Sequence, residues 1–429
     1  MKIQVYGDNL CALVSAAILA SVGHEICLCL PDGYIKKTLA AGKEAYPEPR
    51  LHDLLQQQQR EHRLVIGALG QSIDKDVEAV FLAFSPKDFN LAEQIVKNVA
   101  QHQQPLLVIN QSTFVLGSSE RLAAQLSELQ RLVYVPDFIQ EGMAIESMAR
   151  PNKIILGIDD AAAEHQIREI FRPFNRLKDL FLKMSLREAE FTKLAVSGML
   201  ATRISFMNDL SNVADSIGVD IEQIRIGIGS DKRIGESYLY PGCGFGGQGF
   251  SEDVINLAQT VSGIGIKSKL LEQVLQINED QKEVLFRKLW RYFDCNLSGK
   301  TIGIWGAAYK PNTNKIDNAP ILKLLEALWA QGTIVKLHDP KALPKIEQLY
   351  GKHPQLILCE EQYDAVQEVD ALMLVTEWKQ YWSPNFKRLK QLMHRSLILD
   401  GRNIYNPYYL NELGFEYIGI GRGIQHAAD

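Results

Sequence analysis

The residues best suited to chemistry lie in a glycine-rich segment near the middle of the chain, Pro241-Gly-Cys-Gly-Phe-Gly-Gly247, and in the residues that follow it to Asp253. Glycine lets a backbone turn sharply and approach a bound molecule closely. Cys243 is a thiol in the same segment. A buried cysteine is also an ordinary packing residue, so Cys243 alone does not define a nucleophile. The glycines indicate a loop that can bend and approach a ligand.

A second segment with chemical potential is the turn after the first strand, Gly7-Asp8-Asn9-Leu10-Cys11-Ala12. A dinucleotide turn requires Gly-x-Gly-x-x-Gly, because the first glycine makes the turn, the second admits the pyrophosphate and the third lets helix and strand pack. Gly7 is present and Ala12 is a tolerated third residue, whereas Asn9 places a side chain in the space of the phosphates. The second strand ends in Leu30, which cannot accept hydrogen bonds from ribose hydroxyls. These residues predict a β-α-β unit whose NAD binding is weakened, and an ordinary strand-to-helix turn is the competing interpretation.

Alternating strand and helix patterns occur in the first and last parts of the chain, whereas the middle is helical. In the first part, strands are predicted at Lys2–Tyr6, Glu25–Leu30, Ala79–Phe84, Pro105–Asn110, around Tyr134 and at Lys153–Ile158, with a helix at Leu10–Val22. In the last part, strands are predicted at Thr301–Trp305, Ile334–His338, Leu356–Cys359, Ala371–Thr376 and Ser396–Asp400, with a helix at Pro320–Gln331. Long helices are predicted between them at Ala189–Ile217 and Lys267–Phe293.

These elements predict an α/β protein with two Rossmann-like parallel-sheet domains joined by a central helical domain. Strands separated by helices of ten or more residues imply parallel sheets covered on both faces. We place the boundaries near residues 185 and 295, which gives an NAD-type domain at 1–185, a helical domain at 186–295 and a second sheet domain at 296–429.

The composition excludes several classes of protein. The 429 residues are 46% hydrophobic and 23% charged, which is typical of a globular chain, and the formal net charge of −5 argues against a nucleic-acid partner. The longest apolar run is too short to span a bilayer and a leader pattern is not apparent, so a cytoplasmic protein with no membrane partner is predicted. The six cysteines lack Cys-x-x-Cys spacing and the nine histidines form no metal-binding pair, so we predict free thiols, no redox pair and no metal site.

Ordered motifs along nearly the whole chain resemble those of the UDP-glucose/GDP-mannose dehydrogenase family. In the first part the matching segment is Asp137-Phe-Ile-Gln-Glu141-Gly142 with Ala144. In the middle the matching segments are Glu190-x-x-Lys193, Ala201-Thr-Arg-Ile-Ser-Phe206-x-Asn208, Asp231-Lys-Arg233-Ile-Gly235 and the glycine-rich segment. In the last part they are Tyr309-Lys310-Pro-Asn-Thr313, Thr376-Glu-Trp378 and Asp400-Gly-Arg402-Asn403. By these motifs the chain is identified as a member of the family.

The resemblance implies an enzyme of polysaccharide biosynthesis that oxidises the C6 hydroxyl of a UDP-sugar to a carboxylate while two NAD are reduced. In that chemistry a cysteine thiolate traps the intermediate aldehyde as a thiohemiacetal, and a second oxidation gives a thioester that water hydrolyses. The resemblance also implies a UDP-sugar as ligand, NAD as cofactor and a homodimer formed by the long central helices. Burial of those helices between the flanking domains is the alternative to the dimer.

The resemblance assigns roles to specific positions of this chain. The implied catalytic residues are Thr113, Glu141, Lys193 and Asp253. The implied substrate contacts are Asp137, Phe138, Ser197, Arg233, Phe245, Gly246, Lys310 and Arg402. Glu141 matches a carboxylate that acts as acid or base or orients water, and Lys193 matches an ammonium that stabilises oxyanions. Ordinary solvated lysines and surface salt bridges are the competing interpretation of the cationic residues.

The glycine-rich segment departs from the family at the nucleophile. The family pattern Gly-Phe-Gly-Gly-x-Cys-Phe-x-Lys-Asp is matched here by Gly244-Phe-Gly-Gly-Gln-Gly249-Phe-Ser-Glu252-Asp253, so Gly249 stands at the cysteine position and Glu252 at the lysine. Asp317 and Ala319 replace an arginine and a serine in the last part. These changes predict a nucleotide-sugar-binding protein unable to perform the normal NAD-dependent four-electron oxidation of UDP-glucose to UDP-glucuronate. An oxidoreductase limited to a single hydride transfer, and an interaction protein that does not bind UDP, are the alternatives.

Overall fold

The chain folds into two compact units, Met1–Val196 and Ser197–Asp429. The computed structural model describes residues 1–175, 179–263 and 268–423. Within these ranges, no helix combines the length and apolar character needed to cross a bilayer.

The first unit contains a sheet with helices packed against it. Its strands are β1 Lys2–Tyr6, β2 Glu25–Leu30, β3 Leu64–Ala68, β4 Ala79–Leu82, β5 Leu106–Asn110, β6 Gln130–Tyr134, β7 Ile154–Gly157 and β8 Phe181–Met184. Its helices are α1 Leu10–Ser21, α2 Tyr34–Ala40, α3 Leu51–Arg60, α4 Phe89–Ala100, α5 Ser118–Ala123, α6 Ala144–Ala149 and α7 Ala161–Phe171. The strand order is β3-β2-β1-β4-β5-β6-β7-β8, and the pairing is parallel except between β6 and β7.

Burial explains why the first strands and α1 are so apolar. Strands β4 and β5 are buried at every residue, as expected for a parallel sheet with both faces covered. Helix α1 is apolar around most of its circumference and is buried from Leu10 to Ala20, so it lies inside the unit rather than on its surface.

The second unit contains helices followed by a second sheet. Helix α8, Leu186–Ile217, begins in the first unit, and α9 Ile221–Ser230, α10 Gln248–Gly263, α11 Lys269–Gln281 and α12 Val284–Tyr292 follow. The strands are β9 Thr301–Trp305, β10 Ile334–His338, β11 Leu356–Leu358, β12 Ala371–Leu374, β13 Leu397–Asp400 and β14 Glu416–Gly419, all parallel in the order β11-β10-β9-β12-β13-β14. The remaining helices are α13 Pro320–Ala330, α14 Leu343–Tyr350, α15 Phe386–Leu392 and α16 Pro407–Glu412.

The single helix predicted over residues 267–293 is wrong, because the chain forms α11 and α12 with a break at residues 282 and 283. At the break the Glu283 amide donates to the carbonyl of Asp280, three residues back, which tightens the last turn. The guanidinium of Arg287 donates to the same carbonyl at 2.8 Å. The predicted start at Lys267 lies outside the described residues.

The predicted fold class is confirmed: two parallel-sheet, Rossmann-like arrangements and a helical middle are all present. Strands β3, β8 and β14 were not predicted from the sequence, and each is an outermost strand of its sheet. The three-domain boundaries remain a prediction.

Candidate functional site

The turn between β1 and α1 requires a glycine at its first position. Gly7 has a φ of 132°, and a Cβ there would lie 1.9 Å from the carbonyl oxygen of Ala83. Ala12 is fully buried in α1, so the third position accepts only a small residue. Gly7 and Ala12 therefore keep the packing part of the dinucleotide pattern.

Asn9 fills the N-terminal end of α1 with its own side chain. Its Oδ1 accepts a hydrogen bond from the backbone N–H of Ala12 at 2.9 Å, which caps the helix. The Tyr46 hydroxyl donates to the carbonyl of the neighbouring Asp8 at 2.9 Å. Burial, with the charges of Asp8 and Glu141, raises the pKa of Tyr46, so this phenol stays protonated as a donor. The backbone N–H of Ala12, which could otherwise donate to a phosphate, is therefore already bonded to Asn9.

These residues do not fit NAD bound in the usual mode of a β-α-β unit. Leu30, at the end of β2, is fully buried and offers no acceptor to a ribose. The Asn9 side chain stands where the second glycine would admit the pyrophosphate. The weakening of NAD binding stays a prediction, and Asn9 and Leu30 are the residues on which it rests.

Lys193, on α8, lies in a small cluster with residues that follow β6. Its Nζ is 4.0 Å from Oδ1 of Asp137 and 5.1 Å from the centre of the Phe138 ring. The Lys193 side chain is only 13% exposed, so water screens its charge less than at an open surface. The structure therefore brings together three predicted site residues around a held ammonium, which is suited to stabilising negative charge.

A buried carboxylate that the sequence reasoning missed holds the loop containing Glu141. Glu48 is 5% exposed and accepts hydrogen bonds from the backbone N–H groups of Gly142 and Ala144, each at 2.7 Å. More than ninety residues separate Glu48 from this loop, so no local pattern reveals the contact. Thr113, the remaining predicted residue of this unit, is partly buried in the segment after β5.

Amide side chains clamp the glycine-rich loop of the second unit. Asn278 accepts from the Phe245 N–H at 2.8 Å and donates to the Phe245 carbonyl at 3.1 Å. Asn208 accepts from the Gly242 N–H at 2.9 Å, and Gln281 donates to the Gly242 carbonyl at 2.8 Å. Of these three amide residues, only Asn208 belongs to a family motif. The clamp keeps the loop in one conformation.

Close packing explains the glycine at position 246. A Cβ at Gly246 would lie 2.6 Å from the carbonyl oxygen of Asn318. The Asn318 side chain in turn accepts from the buried ammonium of Lys282 at 2.5 Å, and Lys282 also pairs with Glu279 at 2.6 Å. Burial lowers the pKa of Lys282. Phe245, beside this glycine, is itself buried.

The nucleophile position lies in open space in the first turn of α10. Gly249 is exposed, and a Cβ there would meet no heavy atom within 4 Å. Asp253, one turn later, is 5% exposed and accepts a hydrogen bond from the Ser197 hydroxyl at 2.8 Å. Cys243 is fully buried, and burial raises the pKa of its thiol, which disfavours the reactive thiolate form.

The predicted cationic contacts differ in how firmly they are held. Arg402 is 17% exposed and its Nε lies 3.1 Å from a carboxylate oxygen of Glu377. Lys310 is partly buried after β9. Arg233 is 89% exposed and pairs with Asp231 two residues away, an exposed ion pair that contributes little to stability.

Two Rossmann-like sheets, a helical segment between them in sequence and a clamped glycine loop together define a dehydrogenase-type protein built from two nucleotide-binding folds. Family models for the NAD binding, central and UDP binding domains of the UDP-glucose/GDP-mannose dehydrogenase family match residues 1–175, 187–280 and 303–407. The chain belongs to the UDP-glucose/GDP-mannose dehydrogenase family, which confirms the family predicted from the motifs.

Similar proteins share almost the full length of the chain. A UDP-glucose 6-dehydrogenase of Pseudomonas aeruginosa is 37% identical, with 98% of each chain covered. UDP-glucose 6-dehydrogenase TuaD of Bacillus subtilis is 29% identical over 98% of this chain and 93% of that protein. A UDP-glucose dehydrogenase structure from Pyrobaculum islandicum superposes with a TM-score of 0.86 at 24% identity, covering 98% of this chain and 97% of that one. These likenesses support the fold and the family.

Proposed function

We propose that this chain binds a nucleotide sugar and does not perform the normal four-electron oxidation of UDP-glucose. The UDP binding domain match and the UDP-glucose 6-dehydrogenases among its relatives support the ligand class. Gly249 carries the rest of the proposal, because the position where the family pattern has cysteine holds no side chain.

Full oxidation requires a covalent intermediate that this site cannot form. Trapping an aldehyde as a thiohemiacetal needs a sulfur within bonding distance of the carbonyl carbon. Gly249 supplies none, and Cys243 lies in the hydrophobic core with a raised pKa. An alcohol-to-acid conversion through a thioester therefore has no starting nucleophile in the loop.

Other parts of the site are retained in this proposal. In the first unit, Lys193, held beside Asp137, provides charge, and Glu141 and Thr113 provide acid–base and hydroxyl groups. In the second unit, Asp253 provides a carboxylate. These residues favour a second candidate, an oxidoreductase limited to a single hydride transfer. That candidate also requires a bound nicotinamide, and the arrangement of Asn9 and Leu30 opposes it.

Ligand contacts are proposed for the residues that the resemblance assigns. Lys310 and Arg402 supply cations suited to a pyrophosphate or to sugar hydroxyls. The other proposed contacts are Asp137, Phe138, Ser197, Arg233, Phe245 and Gly246. The three-domain division, the homodimer and the cytoplasmic location stay predictions alongside this proposal.

Isothermal calorimetry of the full chain with UDP, UDP-glucose, NAD and NADP separates the candidate functions. We expect heat of binding with UDP and UDP-glucose and none with millimolar NAD or NADP. Lys310→Ala should weaken UDP binding about tenfold or more, since a charge-assisted hydrogen bond contributes roughly 1.5–3 kcal/mol. Lys345→Ala, an exposed lysine on α14, is the matched control and should change nothing.

Three other outcomes have distinct meanings. Conversion of UDP-glucose to UDP-glucuronate with NAD at an enzymatic rate, or a thioester-linked sugar seen by mass spectrometry, contradicts the proposal. Binding of NAD with formation of an aldehyde or ketone favours the single-hydride candidate. Absence of heat with every ligand indicates an interaction protein.

A further inference from the structure

Two cysteine thiols lie together on β2, away from the glycine loop. The sulfur atoms of Cys27 and Cys29 are 3.8 Å apart. Alternate residues of a strand point to the same face of a sheet, so Cys-x-Cys spacing on a strand brings two thiols together where Cys-x-x-Cys spacing is absent. Cys29 is fully buried and Cys27 is partly exposed. The pair thus has one partly exposed and one buried cysteine.

The surroundings of Cys27 favour its thiolate. The side-chain amide of Gln71 donates to the Cys27 sulfur at 3.1 Å. Its orientation is set by the backbone N–H of Ala68, which donates to Gln71 Oε1 at 3.1 Å and leaves the NH₂ group facing the sulfur. The hydrogen bond from Cys29, with that from Gln71, lowers the pKa of Cys27 to about 7 although burial opposes the shift. The same contact, with burial, raises the pKa of Cys29.

We propose that Cys27 and Cys29 form a peroxide-oxidisable thiol pair, with Cys27 as the attacking sulfur and Cys29 as the resolving one. In the first step the Cys27 thiolate attacks a peroxide oxygen; an S–O bond forms, the O–O bond breaks and hydroxide leaves, giving a sulfenic acid. In the second step Cys29 loses its proton to that hydroxide or to water and attacks the Cys27 sulfur. An S–S bond forms, the S–O bond breaks and hydroxide leaves, which takes up the proton that Cys27 released to water on ionising. In sum, two thiols are oxidised while one hydrogen peroxide is reduced to two waters.

Oxidation at this place would act on the turn that precedes α1. The backbone N–H of Gly7 donates to the carbonyl of Cys29 at 3.3 Å, and Cys29 pairs in register with Tyr6 of β1. Two residues of a strand span roughly 6.6 Å between Cα atoms, near the upper end of the range that a disulfide tolerates. Formation of the disulfide therefore brings the backbone at Cys27 and Cys29 closer together, next to the turn between β1 and α1. The inference does not depend on the proposed ligand or on the fate of Gly249.

The test is oxidation of the full, reduced chain with one equivalent of hydrogen peroxide, followed by alkylation and peptide mass spectrometry. The tryptic peptide spanning residues 3–36 contains Cys11, Cys27 and Cys29, so fragment spectra must locate the modification. We expect a loss of two hydrogens between Cys27 and Cys29. At pH 7 the Cys27 reaction should be about tenfold faster than that of the exposed Cys295, because roughly half of a thiol with pKa 7 is ionised against a few per cent of an ordinary one.

Variants separate the roles of the two sulfurs. Cys29→Ser should stop at a sulfenic acid on residue 27 that dimedone labels, and Cys27→Ser should abolish reaction at both positions. Gln71→Leu should slow the reaction several-fold, while Cys295→Ser, the matched control, should leave it unchanged. Oxidation confined to Cys295, or a sulfenic acid that persists on Cys27 of the unsubstituted chain, overturns the proposal. Mapping of the unsubstituted protein decides the question even if a variant fails to fold.

Discussion

At the scale of single residues, the proposed function depends on two positions. Gly249 has no side chain where the family pattern has cysteine, and Asn9 places a side chain where the dinucleotide pattern has its second glycine. The two differ physically: position 249 is open and a side chain would fit, whereas the space at Asn9 is already occupied. A test of the first position therefore adds a side chain at Gly249. A test of the second position removes the side chain of Asn9.

Gly249→Cys should create a reactive thiol. The site is sterically open, and a cysteine near the start of the 16-residue helix α10 has a lowered pKa because the helix dipole favours the thiolate. We expect a covalent adduct with a UDP-sugar that carries a C6 aldehyde, measured as an increase in intact mass. Gly227→Cys, at an exposed glycine in α9 with no neighbour within 4 Å of its Cβ, is the control. Equal labelling of both variants contradicts the assignment of the nucleophile position.

Asn9→Gly should raise the affinity for NAD. The substitution empties the phosphate position and releases the Ala12 N–H, while replacing an Asn cap by Gly costs only a few tenths of a kcal/mol. Calorimetry should show measurable NAD binding where the unsubstituted chain shows none. Asn9→Asp keeps the cap, adds a negative charge and should show no gain. Unchanged binding by Asn9→Gly means that Leu30 alone suffices to exclude the cofactor.

At the scale of elements, the glycine loop and the loop after β6 depend on side chains from distant helices and loops. Asn278 on α11 and Asn208 on α8 hold the first, and Glu48 holds the second. These buried amides and carboxylates satisfy backbone groups that have no partner in a strand or helix.

Asn278→Ala should destabilise the protein by about 2–4 kcal/mol. It leaves the buried N–H and C=O of Phe245 unpaired, and each unsatisfied group costs roughly 1–3 kcal/mol. Denaturant unfolding measures the change. Gln273→Ala, at an exposed position of the same helix, should be neutral within about 0.5 kcal/mol. A loss in the Asn278 variant no larger than in the control means that the clamp is not needed for stability.

Glu190 should make stability depend on pH. Burial raises the pKa of this carboxyl although it accepts from the N–H groups of Gly117 and Ser119 at 2.6 and 2.7 Å. The folded state thus holds a proton to higher pH than the unfolded chain, so this group's contribution to the free energy of unfolding falls as pH rises above about 4.3 through the folded pKa. Glu190→Gln should remove that slope. If the difference in free energy of unfolding between the unsubstituted protein and Glu190→Gln stays constant from pH 4 to 7, the predicted role of Glu190 is wrong.

At the scale of the whole molecule, α8 presents apolar side chains that one chain leaves exposed. Met199, Phe206, Val213 and Ile217 are 63%, 52%, 49% and 66% exposed. Their spacing of seven, seven and four residues places them along one side of the helix. Exposed apolar stripes of this kind mark interaction surfaces, and the homodimer stays a prediction.

Phe206→Glu should convert the protein from dimer to monomer. A charge in the middle of the stripe is costly to bury, whereas it is well solvated in a single chain. Light scattering after gel filtration should give twice the chain mass for the unsubstituted protein and the chain mass for the variant. Tyr408→Glu, at an exposed aromatic residue of α16, should remain dimeric. A monomeric unsubstituted protein would refute the dimer.

The sequence alone determined the fold class and the family, and the proposal for position 249 also comes from the sequence. Strand and helix periodicity are local properties, and motifs keep their order along the chain whatever the tertiary contacts are. Strand bounds such as Lys2–Tyr6 and Thr301–Trp305 were predicted to the residue for the same reason.

Only the tertiary structure decided which side chains fill the sites. The Asn9 cap, the bonds from Glu48 and the Asn278 clamp need the directions of side chains, and those from Glu48 and Asn278 join residues 33 to 96 positions apart. The thiols of Cys27 and Cys29 lie together because alternate residues of a strand point to the same face of the sheet. Gln71, 44 residues further along the chain, donates a hydrogen bond to Cys27. Spacing in sequence does not encode such contacts, because they depend on where the folded chain returns.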